Sequence, residues 1–207
     1  MRRRLSAAQR RDKIIKACLA EAKRTGSFSQ VSARAVARRA GCTHPILYHH
    51  FKNRSELIRE TVNHLQDRGL RAMIAWAGNE RQTVVERIRG LMDLYLSQRS
   101  NREIVLSFGV LSGEEWRNDP LVRAAFNDAA ERYAAIIMGL ITKGIERGEL
   151  RRSTHPEYVS WRLVELGMFV DHARLLGPPN ARLKSYISAA IESLVREITP
   201  PVADKHR

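Results

Sequence analysis

Between positions 43 and 54 the chain reads Thr-His-Pro-Ile-Leu-Tyr-His-His-Phe-Lys-Asn-Arg, bringing three of its seven histidines together with a tyrosine and two cations. Imidazole and phenol groups offer hydrogen-bonding edges and flat faces, and Lys and Arg offer charge; together they suit contact with a polyanion and its base edges. Catalysis would need other equipment. The chain has no glycine-rich phosphate loop, no G-x-S-x-G elbow, no H-E-x-x-H helix and no clustered Cys/His ligands. No enzymatic activity, metal or cofactor is expected.

The elements that must position these side chains can be read from the flanking residues. Val36, Ala37 and Ala40 recur at helical spacing behind Ser32 as N-cap, and Gly41 supplies the left-handed residue that closes a helix without steric penalty. Thr43 then caps a second short helix, with Pro45 in its first turn, where no intrahelical partner for a backbone N–H exists. Small side chains at Ala37 and Ala40 let the two helices cross closely. Leu47 and Phe51, four apart, face the core and leave His44, Pro45, Tyr48 and His49 on or near the exposed face. Such a hinge taken alone also fits a plain surface helical hairpin.

Charge shifts that balance. The whole chain has 36 Lys+Arg against 22 Asp+Glu; residues 1–60 hold 15 basic and 4 acidic side chains, and residues 61–207 hold 21 and 18. Concentration of the excess on the segment with the hinge is the electrostatic footprint of a phosphate-binding module, so double-stranded DNA is the leading partner. The tail MRRRLSAAQRR taken alone is equally compatible with a solvated basic helix or an adhesive patch for anionic membrane. It has no following apolar run long enough for a signal peptide.

Residues 32–57 also resemble the DNA-binding domain of the TetR family of bacterial transcription regulators. That motif runs from a small-apolar helix through A-G-V-S to a short helix ending L-Y-x-H-F, then a basic residue and E-x-L. Ala37, Ala40, Gly41, Cys42, Thr43, Leu47, Tyr48, His50, Phe51, Arg54, Glu56 and Leu57 match it. Cys42 stands for the usual Val, Thr43 for Ser and Arg54 for Lys. The resemblance implies an all-α, tetracycline-repressor-like protein. Residues 1–53 would form a three-helix DNA-binding domain, with the helix-turn-helix at about 32–51, and residues 54–207 a helical effector-binding and dimerisation domain. The function implied is a sequence-specific regulator, most simply a repressor, that binds a palindromic operator as a homodimer and is released by a small-molecule effector. An activator is one alternative; a basic adaptor of the same fold, without an effector and with nonspecific DNA binding, is another.

Roles follow residue by residue. Ser32 and Thr43 sit at helix N-termini, which favour a phosphate, and Arg34, Lys52 and Arg54 add charge around them. His44 would hydrogen-bond base edges, Pro45 and Tyr48 would pack on thymine methyls or sugars, and His49 shares that face. The resemblance gives His50 a phosphate contact. Tyr48 has a second reading, as a brace packed on the first helix.

Elsewhere the chain reads as helices with compact breakers. Ile14, Cys18, Leu19 and Ala22 form the stripe of a first helix ending before Gly26, and Asn53 with Glu56 starts a long fourth helix reaching toward Trp76. Further periodic runs lie at 83–97, 102–112, 119–147, 156–176 and 181–198. No strand pattern stands out, and no apolar run reaches the length of about 18 residues that a membrane span requires. Cys18 and Cys42 give neither a disulfide framework nor metal spacing, which fits a reducing cytoplasm. A redox-sensing thiol stays open as the less ordinary reading, since buried structural thiols are usually inert.

The last two runs carry the oligomer expectation. Leu183, Ile187, Ile191, Leu194 and Ile198 make a continuous stripe, flanked by Tyr186, Ala190 and Val195, that is wider than one neighbouring helix covers, so a second copy is expected there. Four helices from two copies, as the resemblance implies, would set two reading helices about 34–36 Å apart. A terminal helix buried in its own subunit is the alternative. Effector-pocket candidates are Trp76, Tyr95, Phe108, Trp116, Phe126, Tyr133, Met138, Trp161, Met168 and Phe169, with Glu165 and His172 able to orient a polar ligand.

Overall fold

Ser6 opens the first helix with a reciprocal cap: its hydroxyl accepts from the Gln9 N–H at 3.2 Å, and the Gln9 side chain accepts from the Ser6 N–H at 2.9 Å. The structure is a computed structural model that describes residues 5–98, 103, 106, 117–175 and 181–201, without the side chains of 92, 95–98, 174 and 175. Eight helices are found among the described residues, and no strand. They are α1 (Ala7–Thr25), α2 (Ala33–Ala40), α3 (His44–His50), α4 (Arg54–Ala77), α5 (Val84–Gln98), α6 (Pro120–Glu146), α7 (Pro156–Leu175) and α8 (Ala181–Ile198). The expected runs thus appear within a residue or two of their bounds. The run at 102–112 lies outside the described residues except for positions 103 and 106, both helical.

Two compact units emerge, Met1–Arg68 with Ser100–Ala129, and Gly69–Arg99 with Ala130–Arg207. The core of the first joins Ile14, Cys18 and Ala22 of α1 to Val36, Ala37 and Ala40 of α2, Leu47 of α3, Phe28, Phe51, and Leu57, Ile58 and Val62 of α4. Ala37 and Ala40 are buried at the crossing, as their size requires. Two buried carboxylates tie the helices of this unit together. Glu21 accepts from Arg24 at 2.9 Å and from Arg39 of α2, and Glu103 accepts from Lys23 of α1 at 2.8 Å and from Arg68 of α4. Hydrogen bonds and charge from Arg39 and Arg24 hold the Glu21 carboxyl below its ordinary range.

The core of the second unit is built from α5, α6, α7 and α8, with Met73 of α4. Gly144 of α6 is a point of close approach: a Cβ there would lie 2.9 Å from Leu150 Cδ1 and 3.1 Å from Val84 Cγ2. Arg87 of α5 is buried and donates to the carbonyl of Ala77, the last residue of α4, where orphan helix carbonyls need a donor. Burial lowers the Arg87 pKa from its ordinary value. No helix among the described residues is long and apolar enough to cross a membrane.

Candidate nucleic-acid interface

Gly41 sits at φ +65 and its N–H bonds back to α2, so the chain turns within a few residues and launches α3 across α1 and α2. Ser32 caps α2 as expected, its Oγ accepting from the Ala35 N–H at 3.2 Å. Thr43 has the extended backbone of an N-cap, but its side chain makes no capping hydrogen bond, and Pro45 removes one N–H that such a bond would serve. The expectation that Thr43 caps α3 through its hydroxyl is thus corrected to a cap by position only.

The faces of α3 separate as helical spacing demands. Leu47 and Phe51 are fully buried, while His44, Pro45, Tyr48 and His49 are exposed and His50 is half-buried. Tyr48 is 37% exposed and its ring meets the His44 ring edge-on at 4.8 Å, so part of it is presented on the outer face. Ile46, also exposed at 41%, was missed by sequence reasoning. Its signal was the helical wheel: with positions 47 and 51 turned inward, 46 must turn out.

What fixes α3 in place is an arginine the motif does not name. Arg11 of α1 donates to the carbonyl of His50, stacks its guanidinium 4.3 Å from the centre of the Phe51 ring, and pairs with Glu56 at 3.3 Å and Glu60 at 3.5 Å. Glu56 also accepts from the Lys52 N–H at 2.7 Å, and its own N–H donates to Asn53 Oδ1 at 2.8 Å. Asn53 and Glu56 thus start α4 with a capping box open on one side, the glutamate reaching the Lys52 N–H instead of that of Asn53. Backbone bonding by Lys52 and the charge of Arg11 hold the Glu56 carboxyl low.

Among the cations assigned to phosphate, Arg34 and Lys52 are exposed, on α2 and just after α3. Arg54 is exposed as well, and its Nη2 donates to the carbonyl of Phe28 at 2.7 Å, pinning the loop between α1 and α2 to the start of α4. Burial raises both thiol pKa values, that of Cys18 to about 11, so little thiolate exists for redox chemistry.

The effector candidates are divided between the two units. Phe108, Trp116 and the Tyr95 side chain lie outside the described residues. Phe126 packs against the core of the first unit, whereas Trp76 and Tyr133 pack against that of the second. Trp76 donates its indole N–H to the Arg87 carbonyl at 2.9 Å, and the Tyr133 hydroxyl fills the space over Gly69, so each has a structural task. Met138 is exposed, and Trp161, Glu165, Met168, Phe169 and His172 form an exposed face of α7. Glu165 and Phe169 border an open groove of about 310 Å³ that Tyr186 and Ala190 of α8 complete. The stripe expected at a dimer interface is likewise corrected. Ile187, Ile191, Leu194 and Ile198 are buried in the core of their own chain and Leu183 packs against it, because α5 packs on that face.

A helix held rigidly by its neck, with an outward face of histidine, tyrosine and apolar groups in basic surroundings, defines a helix-turn-helix DNA-binding domain. Residues 14–61 match the family model described as bacterial regulatory proteins, tetR family. The match covers the helix-turn-helix domain only, and solved structures similar to the whole chain share its fold. A TetR-family transcriptional regulator from Cytophaga hutchinsonii is 16% identical, with 96% of this chain and 100% of that one covered at a TM-score of 0.76. The reduced form of Escherichia coli NemR is 15% identical over 94% and 100%, TM-score 0.73. FadR of Bacillus subtilis, solved in complex with stearoyl-CoA, is 16% identical over 89% and 95%, TM-score 0.65. Comparison with curated protein sequences gave no match.

Proposed function

We propose that this chain is a cytoplasmic, homodimeric repressor that reads a palindromic operator and leaves it when a small-molecule effector binds. Residues 1–53 are assigned to reading and 54–207 to dimerisation and effector response. The observation that carries the reading is the outer face of α3, where His44, Pro45, Ile46, Tyr48 and His49 stand exposed on a helix clamped by Arg11. His44 reads a base edge, Pro45, Ile46 and Tyr48 pack on thymine methyls or sugars, and His49 lies beside them. Ser32, Arg34, Thr43, His50 and Lys52 set the register on phosphates. Arg54 contributes its charge while its guanidinium holds the Phe28 carbonyl.

Dimerisation is assigned to the outer faces of α7 and α8. Trp161, Met168, Phe169 and Tyr186 are 37%, 54%, 44% and 60% exposed, and Phe169 meets Tyr186 edge-on at 5.7 Å. Aromatic and methionine surface gathered in this way marks a protein interface. The effector is proposed from likeness to relatives such as FadR with its stearoyl-CoA.

The test is selection of bound duplexes from a random library, followed by titration of the enriched sequence. Enrichment of an inverted repeat, with His44→Ala changing base preference and Arg34→Ala weakening all sequences alike, is the expected result. An equal affinity for enriched and random duplexes at physiological salt would overturn operator reading.

A further inference from the structure

Three of the seven residues of α3 are histidines, and the charges around them are mostly positive. From α1, Arg10 and Arg11 face His50, and Arg10 and Lys13 face the turn at Gly41 and Cys42. Lys52 follows α3 directly. From α4 come two carboxylates, Glu56 and Glu60, and both are engaged by Arg11, with Glu60 also 3.2 Å from Arg59. Within α3 the imidazoles sit close, His49 and His50 meeting edge-on at 5.4 Å and His44 resting on Tyr48. Burial first, then His49, Arg11 and Arg10, lower the His50 pKa from its ordinary 6.5. The unbound protein therefore presents a helix with two exposed imidazoles and a half-buried one, His50, that resists protonation. A polyanion laid on the same face reverses the sign of that local potential, because each phosphate within reach favours the imidazolium.

We propose that DNA binding by this protein is proton-linked: docking on the duplex charges the imidazoles of His44, His49 and His50, so association takes up protons and tightens as pH falls. The inference rests on α3 being the DNA-reading helix. It gives that helix a second property, sensitivity of operator occupancy to internal pH. The direction follows from linkage: a group whose pKa rises on binding contributes affinity below its bound pKa and loses it as pH climbs past that value. A rise of one unit at a single imidazole is worth about tenfold in the association constant. With three imidazoles per protomer, tightening of at least about tenfold is expected between about pH 8 and pH 6. Lys and Arg side chains and phosphodiesters do not titrate in that window.

Calorimetry at fixed ionic strength, in two buffers of different ionisation enthalpy, counts the protons directly. A random-sequence duplex and the sequence enriched by selection serve as probes. Net proton uptake by the wild type is expected, smaller in His44→Gln and in His49→Gln, and lost in the triple variant with His50→Gln. Because His50 is half-buried, the double variant of the two exposed histidines carries the test should the triple variant fail to fold. Duplex binding with no buffer-dependent heat and equal affinity at both pH values would overturn proton linkage and leave DNA reading standing. Uptake unchanged in the double and triple variants would also overturn it, by placing the protons elsewhere. Failure to bind either duplex at any pH would remove both the inference and the reading beneath it.

Discussion

Arg11 joins α1, the end of α3 and the start of α4 through one side chain, and its removal should loosen the reading helix without touching the reading face. Arg11→Met keeps the aliphatic stem and deletes the guanidinium. The charge-assisted bond to the half-buried His50 carbonyl is worth about 1.5–3 kcal/mol. Stacking on Phe51 adds about 0.5–1 kcal/mol. The pairs with Glu56 and Glu60 involve side chains 21–33% exposed, so solvent screening limits them to about 1 kcal/mol together. These contributions share one group and do not add, which puts the loss at about 2–3 kcal/mol. Amide exchange is the suitable assay, since it reads α3 directly. The Leu47 and Phe51 N–H groups, bonded to Thr43 O and Leu47 O, should exchange faster by about 30- to 150-fold at 1.4 kcal/mol per decade. Arg11→Lys should recover only part of this, because an ammonium cannot reproduce the planar fork. Protection changed by less than about 0.5 kcal/mol, together with weakened duplex binding, would refute the clamp and make Arg11 a phosphate contact.

Other outcomes follow from the same structure. Glu21→Ala should cost about 1–3 kcal/mol, at the low end for a buried pair because Arg24 and Arg39 are exposed enough to swing into water; urea unfolding checks it. Since the Glu21 pKa is lowered from 4.5 in the folded state, its stabilisation is complete above that value and lost as pH falls through the folded pKa, so Glu21→Gln should flatten the acid limb of the stability curve. Gly144→Ala should cost about 1–3 kcal/mol by forcing Leu150 and Val84 outward, read as a lowered urea midpoint; an unchanged midpoint would mean the second core yields freely there. Phe169→Asp should turn a dimer into a monomer in sedimentation at micromolar concentration, whereas a dimer that persists would place the interface on another face.

The sequence by itself determined the helices around the reading face. Ser32, Gly41, Leu47 and Phe51 act through local capping, left-handed geometry and helical spacing, and none of these depends on distant residues. The same periodicity could say that α8 has an apolar stripe but not what covers it. Only the tertiary structure decided that Ile187, Ile191 and Leu194 are buried in the core of their own chain, with α5 packed on α8, leaving Phe169 and Tyr186 outward. The task of Arg54 was hidden for a similar reason. A cation beside a DNA-binding motif looks like a phosphate contact, and only the fold adds that its guanidinium also holds the Phe28 carbonyl, twenty-six positions away in sequence, at 2.7 Å. Arg11 is the clearest case: one more Arg in a basic tail by composition, it becomes the clamp of α3 through contacts 39 and 45 positions distant. Local physics is written in neighbouring residues, while the choice of partner for a long side chain or an apolar stripe is made where separate helices meet.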